Sequence, residues 1–177
     1  MSIGPGRLMI RDARNDDRDA VREVVLRAYA EYASMMPERL WTGYRQQMLA
    51  TLDSVGSAEC IVAERNGALV GSVLLLPPAA AAYGSSVLKA DYPEVRLLAV
   101  PPEARGHGIG AALMEACAER ARRAGARALG LHTTDLMRAA VRMYERLGYV
   151  RAPEHDFVPA PGMLVKGYRL ALREVIQ

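Results

Sequence analysis

The stretch RGHGIG, at residues 105–110, is the part of this chain best suited to bind an anion. An apolar run with helical spacing, AALMEACAERA, follows it directly, so the glycines lie where a turn enters a helix. Glycine lets the backbone approach a ligand closely, and a helix N-terminus favours negative charge. The stretch therefore predicts a phosphate cradle of backbone amides, with the Arg105 side chain as an additional donor. A tight turn without a ligand is the simpler alternative.

A dinucleotide-binding turn is a second interpretation, because Gly106, Gly108 and Ala111 match the pattern G-x-G-x-x-A. That fingerprint requires a strand directly before the first glycine and an acidic residue about 20 positions later. Here residues 101–105 separate the turn from the preceding apolar run, and the later stretch ARALGLHTT contains no acid. Both departures argue against a dinucleotide.

The segment EVRLLAVPPEARGHGIGAALM resembles the acetyl-CoA motif of the GNAT N-acetyltransferase superfamily. That motif is an Arg or Gln, two residues, Gly, one residue, and a Gly or Ala, which Arg105, Gly108 and Gly110 satisfy. Downstream, LHTTDLMRAAVRMYERLGYV resembles the family's strand–helix unit, which ends in Tyr-Glu-(Lys/Arg)-Leu-Gly-(Phe/Tyr). Two linked motifs are more specific than either alone, and the resemblance extends over nearly the whole chain.

The resemblance implies acetyl-CoA as co-substrate and indicates which residues bind it. The loop amides would hold the pyrophosphate, and the main chain of the preceding strand would pair with the pantetheine arm. A backbone N–H near Leu98 would meet the acetyl carbonyl. The family often has an Asn where this chain has Met137, so Thr133, Thr134 or Arg138 is expected to supply that contact. The predicted cofactor-binding residues are Leu98, Ala99, Val100, Arg105, Gly106, His107, Gly108, Ile109, Gly110, Thr134 and Arg138.

Tyr144 is the candidate general acid. Its spacing from Met137, Ala140, Val141 and Leu147 puts it on the inward face of a helix. The resemblance implies that its phenol protonates the departing thiolate. A core tyrosine with a hydrogen-bonded hydroxyl is the alternative.

Glu94 is the candidate general base, because the resemblance places a glutamate where this strand enters the substrate cleft. Most alkylamines are protonated at neutral pH, so an amine acceptor must lose a proton before it attacks. A solvated carboxylate at a strand start is the alternative. Weaker candidates for the acceptor pocket are Asp91, Tyr83, Tyr29, Tyr32 and His132, and His132 could equally be a core histidine.

The elements that must position these residues follow from periodicity and from turn signals. Asn15-Asp16-Asp17 predicts the start of a first helix, Pro37 the start of a second, and Asn66-Gly67 a hairpin. Residues 77–93 are expected to form an irregular insertion. The predicted order is β-α-α-β-β-β-α-β-α-β-β. This is a GNAT-like α/β fold with a mixed, mostly antiparallel twisted sheet of about seven strands flanked by about four helices.

The bulk composition indicates a globular protein of a single domain, residues 1–177, with a loose tail at 1–7. A net charge of +3 and arginines spread over several helices argue against nucleic-acid binding. Cys60 and Cys117 are predicted to be buried thiols, and no metal-ligand spacing is present. No apolar run is long enough for a membrane span. These features predict a cytoplasmic protein without a membrane or metal partner.

The function predicted is therefore direct transfer of an acetyl group from acetyl-CoA to a primary amine of a small molecule, peptide or protein. Two alternatives stay open at this point: a non-catalytic sensor that binds acyl-CoA, and a transferase that uses another acyl-CoA. A homodimer is compatible with the sequence.

Overall fold

The structure, a computed structural model, describes residues 6–54, 56–78 and 90–173. Most of the predicted 77–93 insertion and residues 1–5 of the predicted tail lie outside these ranges. In chain order the strands and longer helices are β1 (Met9–Asp12), α1 (Arg18–Tyr29), α2 (Glu38–Asp53), β2 (Glu59–Arg65), β3 (Ala68–Leu76), β4 (Glu94–Ala99), α3 (Ile109–Arg123), β5 (Ala128–Thr133), α4 (Arg138–Arg146), β6 (Val150–Arg151), β7 (Phe157–Ala160) and β8 (Met163–Ala171).

The strands pair in the order β1-β2-β3-β4-β5-β8-β6, and β7 also pairs with β8. The β4–β5 pair is parallel, whereas β1–β2, β5–β8, β6–β8 and β7–β8 are antiparallel. The predicted mixed, mostly antiparallel sheet is confirmed, with eight strands among the described residues rather than seven. The strand absent from the prediction is β7, whose sequence FVPA contains a proline and pairs through a bulge, so it has no strand signal.

The described residues form two compact units. The first unit comprises the described residues up to Leu74 together with Leu97–Ala116. Its β2–β3 hairpin turns at Asn66 and Gly67, which have φ of +54° and +77°, as the Asn-Gly signal predicts. Its α3 packs close to β3 because Gly71 has no side chain. A Cβ there would lie 2.9 Å from Ile109 Cγ2.

An ion-pair cluster precedes α1. Asn15–Asp17 forms a short 3-10 turn rather than the simple N-cap predicted, and Asp17 is the residue before the first turn of α1. The Asp17 carboxylate accepts from Arg11 Nη1 at 2.7 Å and from the Arg14 backbone N–H at 2.7 Å. Arg11 also donates to Glu64 on β2 at 2.8 Å. The hydrogen bond from Arg11, followed by that from Arg14, lowers the pKa of Asp17 to about 2.

The second unit comprises the described residues of Leu75–Arg96 and those from Cys117 onward. Here β5 pairs with β8 over its whole length, from Ala128 to Thr133. The parallel pairing sets Glu94 of β4 opposite Gly130 of β5. Because side chains two residues apart share a face of a strand, Gly130 and His132 face the same side.

The predicted helix faces are largely confirmed. Leu113, Met114, Cys117 and Ala121 of α3 are all buried. Gly148, with φ of +94°, follows α4 as its predicted C-terminal cap.

The prediction of two buried thiols holds for Cys117, but Cys60 is only partly buried. Burial, the largest effect, raises the pKa of the Cys60 thiol to about 11. Within the described residues, no helix is long and apolar enough to cross a membrane. The same residues contain no group of three or more His, Cys, Asp or Glu able to hold a metal ion.

Candidate active site

The glycine turn of the first unit has the backbone that the anion prediction requires. Gly106 and Gly108 have φ of +79° and +74°, in the left-handed region that favours glycine. A Cβ at either position would have no atom within 4 Å, so the turn faces open space. The first backbone bond of α3 runs from the Ala112 N–H to the Gly108 carbonyl at 3.0 Å. The N–H groups of residues 109–111 come before that bond in the chain, so they have no acceptor within the helix and can bind a ligand.

The Arg105 side chain is held by protein groups. Its Nε donates to the Val100 carbonyl at 2.9 Å, and its Nη2 donates to the Ala28 carbonyl in the last turn of α1 at 3.0 Å. Its Nη1 lies 2.9 Å from Glu31 Oε1. These three contacts fix the position of the turn relative to α1. Because the guanidinium is engaged by these groups, the backbone of Arg105 is better suited to phosphate binding than its side chain.

The two neighbours of Gly108 differ in orientation. Ile109 is buried at 1% exposure and anchors the start of α3 in the core. His107 is exposed, and its Nδ1 lies 3.3 Å from the Ala104 carbonyl. Both can contribute backbone N–H groups to the turn while their side chains point elsewhere.

A backbone irregularity lies in β4, at a position that carries no turn or bulge residue. Leu97 has φ of +49°, a conformation that costs a bulky residue about 1–3 kcal/mol and that clusters at functional sites. The next residue, Leu98, has its carbonyl bonded to the Tyr29 hydroxyl, which donates at 2.9 Å. The irregular strand is thus tied to the end of α1.

Tyr29 also belongs to an aromatic cluster of the first unit. Its ring lies 5.8 Å from that of Tyr32 and 6.2 Å from that of Tyr44, and Trp41 lies 6.2 Å from Tyr44. Burial, followed by the charge of Glu31, raises the pKa of Tyr32. Two acceptor-pocket candidates, Tyr29 and Tyr32, are therefore brought together.

In the second unit, Glu94 is buried against a histidine. It is 9% exposed, and no other Asp or Glu among the described residues is classed as buried. Its Oε1 lies 2.5 Å from His132 Nδ1. The alternative interpretation of Glu94 as a solvated carboxylate is therefore wrong. His132, one of the weaker candidates, is its direct partner.

The other ring nitrogen of His132 is also engaged, since Nε2 lies 2.9 Å from the His155 carbonyl. The Phe157 ring packs edge-on against the imidazole at 5.4 Å. Two glycines leave space for the side chains that pack around His132. A Cβ at Gly130 would lie 2.6 Å from the Tyr92 ring. A Cβ at Gly167 would lie 2.8 Å from the His155 Cβ.

The segment that carries the His155 carbonyl is braced by an ion pair. Both terminal nitrogens of Arg151 bind the Asp156 carboxylate, at 2.8 and 2.7 Å. The Gly167 N–H donates to the same carboxylate at 2.8 Å. The hydrogen bond from Arg151 is the largest of the effects that lower the pKa of Asp156. The brace holds the backbone next to His155 against β8.

Tyr144 lies on α4 and is 7% exposed, as its predicted inward face requires. Its ring is 5.9 Å from that of Tyr149, which follows the Gly148 cap. The Tyr149 N–H donates to the Tyr144 carbonyl at 3.0 Å and closes the end of the helix. The position of Tyr144 fits both of the roles considered, general acid and core tyrosine.

The start of α4 shows what surrounds Met137. Met137 is the residue before the helix, and its Sδ accepts from the Thr133 hydroxyl at 3.6 Å. The Thr134 hydroxyl oxygen is buried and has no hydrogen-bond partner among the described residues. Arg138, the first residue of α4, is exposed. Thr134 therefore offers an unsatisfied polar atom for a ligand, which fits a cofactor contact here.

The predicted site residues thus fall into two sets. The first unit holds Leu98, Ala99, Val100, Arg105, Gly106, His107, Gly108, Ile109 and Gly110, and the second unit holds Glu94, Thr134, Arg138 and Tyr144. Asp91 is exposed, and Tyr83 lies outside the described residues. Sequence reasoning missed Leu97, Tyr92 and the His155 carbonyl. Only the two glycines opposite Tyr92 and His155 were a visible sign of close packing.

The chain matches known proteins over most of its length. A sequence model of the acetyltransferase (GNAT) family matches residues 19–149. An uncharacterized N-acetyltransferase of Methanocaldococcus jannaschii is 29% identical over 141 residues, which make up 79% of this chain and 59% of the relative. The chain therefore spans about three-fifths of the length of the curated relative that it matches.

Solved structures share the fold. A GNAT acetyltransferase of Staphylococcus aureus Mu50 has a TM-score of 0.73 at 14% identity, covering 94% of this chain and all of its own. A GNAT acetyltransferase of Brucella melitensis in complex with acetyl-CoA has a TM-score of 0.62 at 21% identity, covering 97% of this chain and 92% of its own. With the glycine turn and the family match over residues 19–149, these likenesses lead to one conclusion: the chain belongs to the GNAT family of acetyltransferases.

Proposed function

We propose that this protein is an N-acetyltransferase that moves the acetyl group of acetyl-CoA directly to a primary amine. The observation that carries the proposal is the burial of Glu94. Removing a carboxylate from water is costly, and a module that only bound acyl-CoA would have no need for it. A buried carboxylate beside an imidazole suits a step that removes a proton from an incoming ammonium group.

The residues of the first unit are assigned to acetyl-CoA. The backbone N–H groups of Arg105–Gly110 hold the pyrophosphate, because the left-handed glycines and the helix N-terminus direct them to one place. The main chain of Leu98, Ala99 and Val100 pairs with the pantetheine arm. A backbone N–H near Leu98 stabilises the negative charge that develops on the acetyl oxygen. Thr134 and Arg138 of the second unit add side-chain contacts to the cofactor.

Glu94 and Tyr144 are assigned to the proton transfers. Glu94 takes a proton from the substrate ammonium group, which leaves a neutral amine. The amine nitrogen bonds to the acetyl carbon, the carbon–sulfur bond breaks, and the nitrogen loses its second proton to solvent. Tyr144 donates its phenolic proton to the sulfur and is reprotonated from solvent. The net reaction converts one ammonium ion and acetyl-CoA into one N-acetyl amide, CoA thiol and one proton, so atoms and charge balance.

The acceptor is a primary amine of a small molecule, a peptide or a protein. The aromatic cluster of Tyr29, Tyr32, Trp41 and Tyr44 supports the first two helices as its contact region, because aromatic faces bind both apolar groups and cations. The family relationship identifies acetyl-CoA as the acetyl donor, but it does not identify the acceptor amine.

Thiol release from acetyl-CoA, measured over a panel of amines, tests the proposal. The panel contains a peptide N-terminus, a lysine peptide, a polyamine and an aminoglycoside. Release that depends on one of these amines is expected. Binding of acetyl-CoA by calorimetry, with no amine-dependent release over the panel, would support a sensor and contradict the proposal.

A further inference from the structure

We propose that His132 and Glu94 act as one proton-accepting unit, in which His132 is a positioning residue that works through Glu94. This inference rests on the proposed function, in which Glu94 takes the proton of the amine. The two residues lie on neighbouring parallel strands, and the side chains of His132 and Glu94 are 8% and 11% exposed, respectively. The sequence resemblance makes His132 only a weak candidate for the acceptor pocket and assigns it no role in proton transfer.

The hydrogen bonds fix the tautomer of His132. A carbonyl oxygen can only accept, so the contact between Nε2 and the His155 carbonyl requires a hydrogen on Nε2. The other nitrogen, Nδ1, then faces Glu94 Oε1 at 2.5 Å. A proton shared between Nδ1 and Oε1 would let both atoms form a hydrogen bond at this distance, and the proposal places one proton there.

This arrangement makes the pair a base when that proton is absent. Without it, the carboxylate is negative and the imidazole is neutral, and the pair accepts a single proton from the substrate ammonium group. With the proton bound, the charge is shared over Nδ1 and Oε1, so neither group becomes an unpaired buried ion. The proton then passes to solvent, which returns the pair to its accepting state.

The surroundings hold the imidazole in the required orientation. The Arg151–Asp156 ion pair braces the backbone that presents the His155 carbonyl, and Phe157 packs against the ring. The Tyr92 ring contacts that of His155 edge-on at 5.8 Å, over the face that Gly130 leaves open. A histidine with both nitrogens engaged and a braced acceptor is typical of residues that orient a proton-transfer partner.

Other ionisable groups lie on the elements that pack around the pair, and most are committed to partners of their own. Asp156 binds Arg151, Lys166 binds Asp135, and Arg169 binds Glu154. The same segments also carry Asp91 and Tyr92 before β4, Arg96 on β4, the His155 ring and Tyr168 on β8. The proton between Oε1 and Nδ1 is the one that the proposal assigns to the reaction.

An NMR titration of histidine nitrogens tests proton sharing without any acceptor. The chain has three histidines, so the His132 signals are identified by their loss in His132→Gln. We expect Nε2 to carry its proton, and we expect the Nδ1 signal to change in Glu94→Gln because an amide replaces its carboxylate partner. The exposed Glu119 of α3 provides the matched control, and Glu119→Gln should leave the Nδ1 signal unchanged. An unchanged Nδ1 signal in Glu94→Gln, or a proton on Nδ1 instead of Nε2, would overturn the proposal.

Kinetics then separate a proton-sharing role from a purely structural one. With the amine that gives most thiol release, the acid limb of kcat/KM against pH should move by at least one unit in His132→Gln, while the KM for acetyl-CoA stays within about twofold. A uniform fall in rate with an unmoved acid limb would overturn the proposal. If the wild type released no thiol with any amine, the proposed function would fail, and the NMR titration would still decide whether the two residues share a proton.

Discussion

Glu94 and His132 meet at 2.5 Å across two neighbouring parallel strands, although 38 residues separate them in the chain. The contact depends on backbone register: β4 and β5 pair with Glu94 opposite Gly130, which leaves His132 two residues further along the same face. The base of the proposed reaction is therefore set by strand pairing rather than by a local motif.

Replacing Tyr144 with Phe tests its role as general acid. The phenol ring is buried, so Tyr144→Phe keeps the packing and removes only the hydroxyl. We expect kcat to fall about 10- to 100-fold with acetyl-CoA affinity within about twofold, because a positioned acid contributes in the transition state. Steady-state kinetics and calorimetry measure the two quantities. Unchanged turnover would leave Tyr144 as a core residue, and Tyr149→Phe on the neighbouring ring is the matched control for packing.

The glycine turn should bind acetyl-CoA through its backbone. Gly108→Ala places a side chain at φ of +74°, which costs about 1–2 kcal/mol in stability. Gly125→Ala, at φ of +78° beyond the end of α3, has the same backbone cost and also meets open space. We expect both variants to lose similar stability, but only Gly108→Ala to lose acetyl-CoA affinity, by at least tenfold in calorimetry. Equal affinity in the two variants would show that the turn does not bind the cofactor.

The Arg105 side chain should act by holding the turn in place. Arg105→Lys keeps the charge but cannot reproduce the contacts with the Val100 and Ala28 carbonyls and with Glu31. We therefore expect a lower acetyl-CoA affinity, by about 3- to 30-fold, and a less stable protein, by on the order of 1 kcal/mol. Arg123→Lys, on an exposed ion pair of α3, should change neither quantity. If Arg105 contacted phosphate only as a charge, Arg105→Lys would retain the wild-type affinity.

The ion-pair cluster before α1 should make stability depend on acid pH. Because Arg11 and the Arg14 N–H lower the pKa of Asp17 in the folded state to about 2, its carboxylate stabilises the fold at pH values above the ordinary pKa of 3.8. That stabilisation is lost as the pH falls from about 4 towards 2. Asp17→Asn should lower the free energy of unfolding by on the order of 1–2 kcal/mol at pH 7 and by almost nothing at pH 2. Urea unfolding at the two pH values measures this, and an equal loss at both would contradict it.

Much of the fold could be predicted because its signals are local. Asn66-Gly67 set the hairpin, glycines such as Gly148 ended helices, and spacing identified the buried face of α3. The strand at Phe157–Ala160 was missed because Pro159 removes a backbone donor and the strand depends on its pairing with β8. That the whole chain forms one domain stays a prediction.

The candidate site was predictable only in part. The glycine turn is contiguous in sequence, so its backbone geometry followed from residue types. The partner of Glu94 was not predictable, because it depends on β-strand register and on a loop that supplies a carbonyl. The left-handed Leu97 had no signal either, since leucine rarely adopts that conformation and is held there by its surroundings.

The most direct test of the central claim is the identity of the acetylated product. Acetyl-CoA carrying a deuterated acetyl group is incubated with the protein and the amine panel, and each amine is analysed by mass spectrometry. The account predicts that the labelled acetyl group appears on the nitrogen of one amine, with one CoA thiol released per amide and with the rate reduced in Glu94→Gln. Label that stays on acetyl-CoA, or that appears only as free acetate, would contradict it.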